Sequence, residues 1–230
     1  MFGLNPIMKQ EFTDGNKLRV VKSSPFYTLQ GEGPYAGHPA VFIRLHGCNL
    51  RCTFCDTQFS DAGDPEMEVG ALLYHTRNIA KKAKLVVITG GEPLRQSIIP
   101  LCVALGDEGF EVQIETAGTL WIPGLSHYAK IVVSPKTHVI HERARENAVA
   151  FKYVINAQTE FEDGIPIAAT QPGTRPRVLA APREGCPVYL SPMDEYDLEK
   201  NKSNLDAVAR AALKYGYIAG VQMHKIFEVD

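Results

Sequence analysis

Three cysteines, Cys48, Cys52 and Cys55, stand within eight residues in the segment "HGCNLRCTFCDT". Thiolates at C-x3-C-x2-C spacing let one loop wrap a single metal centre, and the two candidates are zinc and an iron–sulfur cluster. A structural zinc site asks for four closed ligands, and the nearest further donors, His46 and Asp56, do not stand at the usual zinc-ligand spacing. A cluster held by three cysteines leaves one iron open, which suits a centre that must touch a ligand. The chain has five cysteines in all. Cys102, in "IIPLCVAL", reads as helix core, and Cys186, in "GCPV", precedes a strand. An odd number with three crowded together argues against a disulfide framework and for a reducing, cytoplasmic setting with a metal or redox site.

The elements that must position these thiols follow from the apolar pattern. Short apolar runs read as buried strands at 40–45, 85–89, 111–116, 130–134, 150–155, 188–191 and 220–224. Between them, apolar residues three and four apart predict helices over 66–82, 95–108 and 203–215, the last capped by Ser203. Strands alternating with helices imply an α/β fold with a mainly parallel sheet and right-handed crossovers, in which ligands bind beyond the carboxyl ends of the strands. The polar segments collect there: the cysteine loop after the first strand, "TGGEP" (89–93) after the second, "VSPK" (133–136) after the fourth and "SPMDE" (191–195) after the sixth. Glycines after a strand allow backbone to approach a ligand closely. Residues 1–38 read as a loop-rich linker into the first strand, and 158–187, rich in Pro, Gly and Thr, as an irregular connection.

Lys and Arg total 24 against 26 Asp and Glu, a formal net charge of -2, so neither nucleic acid nor an anionic membrane is attracted and a small-molecule substrate is expected. No apolar run reaches membrane-spanning length. The first twenty-five residues lack the pattern of a secretory signal or transit peptide. The whole chain, 1–230, is of a length for one domain.

C-x3-C-x2-C with Phe54 before the last cysteine resembles the signature of the radical S-adenosylmethionine superfamily, and "TGGEP" resembles its second motif. Within that superfamily, "YTLQGEGPYAGHPAVFIRLHGCNLRCTFCDT", "ETAGT", "VSPK", "YVI", "LSPMDE" and "VQMHKIFEVD" are similar, in order, to the 7-carboxy-7-deazaguanine synthase family. The resemblance implies an incomplete, mainly parallel (β/α) barrel and a carbon–nitrogen lyase. The expected reaction turns 6-carboxy-5,6,7,8-tetrahydropterin into 7-carboxy-7-deazaguanine by radical ring contraction with loss of ammonia, in queuosine and 7-deazapurine biosynthesis. Its implied cofactors are a [4Fe–4S] cluster, S-adenosylmethionine and Mg²⁺; its implied partners are an electron donor such as flavodoxin or ferredoxin and a second copy in a homodimer.

Carried over position by position, the resemblance assigns the cluster to Cys48, Cys52 and Cys55, and magnesium to the Thr57 hydroxyl. It assigns S-adenosylmethionine to Phe54, Cys55, Asp56, Gly91, Glu92, Ser134, Pro135, Lys136, Ser191, Pro192, Met193 and Asp194. Substrate falls to Leu29, Gln30, Gly31, Glu32, Arg44, Thr89, His224 and the terminal Asp230, where the family ends closer to Gly-Ile-Pro. Arg44 suits a carboxylate, since its planar fork pairs with one. Two rivals share the thiol loop: an activating enzyme for a glycyl-radical partner, and a non-enzymatic iron–sulfur or zinc module. Replacing Cys48, Cys52 or Cys55 with Ala should abolish cleavage of S-adenosylmethionine, while Cys102→Ala and Cys186→Ala retain it. Formation of 5′-deoxyadenosine by the variant lacking all three loop thiols would refute the assignment.

Overall fold

The computed structural model describes residues 5–229 apart from 56, 58, 60 and 62, so Asp56 and Asp230 lie outside the described residues. In chain order the strands are β1 (Lys17–Arg19), β2 (Phe26–Leu29), β3 (Pro39–Leu45), β4 (Glu66–Glu68), β5 (Leu85–Gly90), β6 (Glu111–Thr116), β7 (Lys130–Val133), β8 (Ala148–Ile155), β9 (Glu160–Glu162), β10 (Ile165–Ala168), β11 (Arg177–Val178), β12 (Val188–Pro192) and β13 (Ile218–Ala219). The helices are α1 (Val69–Ile79), α2 (Ile99–Asp107), α3 (Glu142–Asn147), α4 (Leu198–Tyr215) and α5 (Met223–Ile226). Eight strands form one sheet in the order β13-β12-β8-β7-β6-β5-β3-β2, parallel throughout except for the antiparallel edge pair of β2 and β3. The sheet curves into the incomplete barrel that the family resemblance implies. Among the described residues no helix is long and apolar enough to cross a membrane.

The period-two alternation of the strands separates two faces. Val41, Ile43 and Leu45 of β3, Val86 and Ile88 of β5, Val112 and Ile114 of β6, and Phe151 and Tyr153 of β8 join one core with Leu72 of α1, Leu101 and Leu105 of α2 and Val208 of α4. The residues between them face inward. At the closed end that inner face is plugged by Ala40, Leu85 and Val87 with Tyr35 and Phe42 against them. At the carboxyl ends of the strands it becomes polar, with Arg44 beside Thr89 in register.

Five expectations are corrected. The 220–224 run is not a strand: β13 is Ile218–Ala219, the ladder ends with the Gly220 amide on the Leu190 carbonyl (2.8 Å), and the chain turns into α5. The helix expected over 66–82 begins at Val69, because 66–68 pair with β1 as β4. Residues 1–38 contribute β1 and β2 and are more than a linker, and 158–187 hold the antiparallel sheet β11-β10-β9. Finally, α4 begins five residues before Ser203: Asp197 caps it, accepting the Lys200 amide at 3.1 Å, while the Ser203 hydroxyl donates to the Glu199 carbonyl inside the helix.

An N-cap carboxylate satisfies an amide that has no intrahelical partner, and its loss costs about 1 kcal/mol. Asp197→Ala should therefore lower stability by about that amount in urea denaturation, and Ser203→Ala should stay within about 0.5 kcal/mol of the parent. Equal losses in the two variants would return the cap to Ser203.

Candidate active site

A cavity of about 340 Å³ opens at the carboxyl ends of the parallel strands, and the thiol loop forms one wall of it. Cys48, Cys52, Phe54 and Cys55 all line it, and none of the cysteines is in a disulfide. The loop is held from several directions: the Cys48 carbonyl accepts the Met8 amide (2.7 Å), the Gly47 amide donates to the Phe59 carbonyl (2.7 Å), and Thr53 donates its amide to Thr170 (2.9 Å). Among the described residues no three His, Cys, Asp or Glu side chains converge as ligands of one ion. A cluster gives each thiolate its own iron, so three thiols of one loop facing one cavity fit that group without such convergence.

The "TGGEP" motif packs directly under this loop. A Cβ on Gly91 would lie 2.2 Å from the Gly47 carbonyl oxygen, so only glycine lets the end of β5 lie against the cysteine loop. Glu92 does not reach the cavity. Its carboxylate is fully buried and accepts the Thr116 hydroxyl (2.7 Å), the Leu94 amide (3.0 Å) and the Ala117 amide (2.8 Å), while its own amide donates to Gly47 (2.9 Å). Burial pushes this carboxyl above its ordinary value, with those donors opposing. Glu92 thus ties the ends of β5 and β6 to the cysteine loop.

Of the positions expected to meet substrate, Leu29, Gln30, Gly31, Glu32, Arg44, Thr89 and His224 line the same cavity. The Arg44 guanidinium donates to the Thr57 hydroxyl (2.9 Å) and lies over the Phe26 ring, 5.9 Å from its centroid. A Cβ on Gly31 would fall 1.9 Å from His224 Nδ1, so that glycine makes room for the imidazole. Of the remaining expected positions, Ser134, Lys136, Pro192, Met193 and Asp194 line the cavity, whereas Pro135 and Ser191 do not. Lys136 donates to both the carbonyl (2.8 Å) and the hydroxyl (2.5 Å) of Ser134, and burial lowers its ammonium below the ordinary range. Asp194 accepts Asn201 Nδ2 (2.7 Å) and pairs with Lys225.

Sequence reasoning missed the most strongly charged part of the site. Lys152, 4% exposed, sits between Glu32 (2.7 Å) and Glu115 (2.5 Å). Gln30 (2.9 Å) and Gln113 (3.0 Å) donate to the other Glu115 oxygen. Burial alone would raise the Glu32 carboxyl and lower the Lys152 ammonium; Lys152, with Gln222 and His224, holds Glu32 below its ordinary value, and Glu115 with Glu32 holds Lys152 above its own. The signal was present: Lys152 interrupts the apolar run "AFKYVI", and Gln113 and Glu115 share one phase of "EVQIET".

The sequence profile of the Radical SAM superfamily matches residues 42–141. Over its full length the chain is 43% identical to all of a 7-carboxy-7-deazaguanine synthase of Rhodospirillum rubrum. It is also 37% identical, again over its full length, to one of Rickettsia prowazekii, 96% of which it covers. In fold it is similar to the crystal structure of QueE from Escherichia coli, with a TM-score of 0.67 and 23% identity over 90% of this chain and 94% of that one.

The Lys152 cluster sets the direction of a pH effect. With Glu32 depressed below 4.5, its contribution to stability is fully present above that pH and lost as pH falls through its folded value. Lys152→Met leaves two carboxylates without their cation, a change that costs about 3–5 kcal/mol for a buried pair, and that cost shrinks as Glu32, which burial raises once Lys152 no longer opposes it, takes up a proton. The melting temperature of Lys152→Met should therefore rise from pH 7 to pH 5. A flat or falling profile in that variant would show that the two carboxylates do not depend on Lys152.

Proposed function

The chain belongs to the 7-carboxy-7-deazaguanine synthase family, and from that premise we infer that it is a radical S-adenosylmethionine lyase. It converts 6-carboxy-5,6,7,8-tetrahydropterin into 7-carboxy-7-deazaguanine by radical ring contraction with loss of ammonia, a step toward queuosine and other 7-deazapurines. The observation that carries this reading is that a single cavity has three thiols on one wall and Gln30, Glu32 and Arg44 on another. Cofactor and substrate can then meet without solvent between them.

When bound, the cluster with its open iron supplies the electron that cleaves S-adenosylmethionine, which is regenerated at the end of the cycle. Gly91, in the cavity lining, would offer its backbone to the cofactor, and Phe54, Ser134, Lys136 and Pro192 to Asp194 would line the space around the rest. Arg44 provides a planar pair of donors for the substrate carboxylate, and Gln30 and Glu32 provide acceptors and a donor for the amide-like pterin edge. Thr57, whose hydroxyl accepts from Arg44, would offer one oxygen ligand to Mg²⁺, a cation that takes few protein ligands. Asp56 belongs with the S-adenosylmethionine contacts and Asp230 with those to substrate.

A low-potential one-electron carrier such as flavodoxin or ferredoxin reduces the cluster, in the cytoplasm. A homodimer would cover Leu198, Leu205 and Leu213, which stand exposed at spacings of seven and eight along α4. Anaerobic incubation of the reconstituted protein with dithionite, S-adenosylmethionine, Mg²⁺ and the carboxypterin should give 7-carboxy-7-deazaguanine and ammonia by mass spectrometry, with S-adenosylmethionine recovered. Under the same conditions Thr57→Ala should lose most of the magnesium stimulation. Formation of 5′-deoxyadenosine without the deazaguanine would leave a radical enzyme of another substrate.

A further inference from the structure

The thiol loop is bonded not only by the barrel but also by the small antiparallel sheet, through the turn between β10 and β11. Gln171, in that turn, directs its side chain at the loop: its Oε1 accepts the Arg51 amide at 2.7 Å, and its Nε2 lies 3.3 Å from Cys52 Sγ. The orientation of this amide is determined by chemistry. Arg51 N–H can only donate, so the carbonyl oxygen must face it, and the NH₂ group is left toward the sulfur. The backbone around Gln171 is fixed as well. The Thr174 amide (3.2 Å) and hydroxyl (2.7 Å) both donate to the Gln171 carbonyl, and the neighbouring Thr170, 4% exposed, accepts the Thr53 amide and donates to the Lys136 carbonyl.

We propose that Gln171 sets the reduction potential of the cluster by donating a hydrogen bond to the Cys52 thiolate. The inference rests on the reading of Cys48, Cys52 and Cys55 as cluster ligands. Reduction adds one electron to the cluster from an external one-electron donor, with no bond made or broken and no proton moved. The added negative charge is shared with the thiolate sulfurs, so an N–H aimed at one of them stabilises the reduced form more than the oxidised form. Glutamine does this without adding a charge of its own. Its role is positioning and electrostatic, exerted through Cys52; it is not a catalytic residue.

The experiment is a reductive titration of the anaerobically reconstituted protein followed by electron paramagnetic resonance, at pH 8, for the parent, Gln171→Glu and Gln171→Leu. Gln171→Glu keeps an oxygen for the Arg51 amide but presents an acceptor, in place of a donor, to Cys52. Gln171→Leu removes both contacts. Both variants should hold the parental iron content. At a fixed poise their ratio of reduced to oxidised cluster should fall about tenfold, a potential about 59 mV more negative for a one-electron couple. A merely structural role predicts otherwise: the uncharged Gln171→Leu would then titrate like the parent, and that result in a fully loaded sample would overturn the proposal, whereas Gln171→Glu, which also adds a negative charge, should fall at least as far as Gln171→Leu. If Gln171→Leu does not retain its cluster, Gln171→Met, which also lacks the donor and carries no charge, decides in its place. A parent chain that takes up no iron would instead remove the cluster reading itself and the inference with it.

Discussion

A charge without water beside it must find its counter-charge in the protein, and the inner face of this barrel is built around one that finds two. Lys152 projects from β8 into the interior, where an isolated ammonium would be strongly disfavoured. Glu115 approaches from β6 and Glu32 from the segment after β2, so the ion cluster joins three parts of the chain. Such clusters add little net stability over an apolar filling, since desolvation offsets most of the attraction. What they confer is position: Lys152 holds Glu32 directly and Gln30 through Glu115, and it cannot move away without leaving a charge unpaired.

A second buried carboxylate performs the same service for the cofactor side. Glu92 carries the consensus position of the "TGGEP" motif, yet all its hydrogen bonds run to Thr116, Leu94 and Ala117, and its own amide joins Gly47. Gly91 is then pressed against the cysteine loop so closely that a methyl group would collide with backbone. The motif therefore shapes the ligand site by what it holds in place. Its glutamate, itself outside the lining, holds Thr116 and Ala117, which line the cavity.

How far the sequence could be read depended on the range of the interactions involved. The buried parallel strands were legible, because a short, continuous apolar run between polar loops suits a strand covered on both faces and little else. The cysteine loop was legible because its ligands are neighbours in sequence. By contrast, Lys152 meets Glu32 across 120 residues and Gln171 meets Cys52 across 119, and nothing local in either segment announces its partner. The sheet formed by β9, β10 and β11 was hidden by its Pro and Gly content, and α4 was entered too late because Asp197 lies ahead of the apolar periodicity used to find the helix.

The tail shows how an incomplete barrel can still enclose its contents. "GVQMH" alternates like a strand, but the ladder of β13 with β12 ends at the Gly220 amide on the Leu190 carbonyl, and β12 closes with Pro192, which has no N–H to extend it. One edge of the sheet is β13 and the opposite edge is β2. Instead of adding a strand, the chain crosses the gap between these edges: the Met223 amide donates to the Gly31 carbonyl (3.1 Å), Lys225 pairs with Asp194, and His224 enters the cavity beside Gly31. A few hydrogen bonds from the end of the chain thus replace the missing part of the wall, at the one place where a closed sheet would have left no entrance. A wall of that kind has a smaller free energy of local opening than a paired strand, because few bonds hold it and little apolar surface is buried beneath it. The same feature that leaves the barrel unfinished therefore leaves one side of the cavity covered only by this short segment.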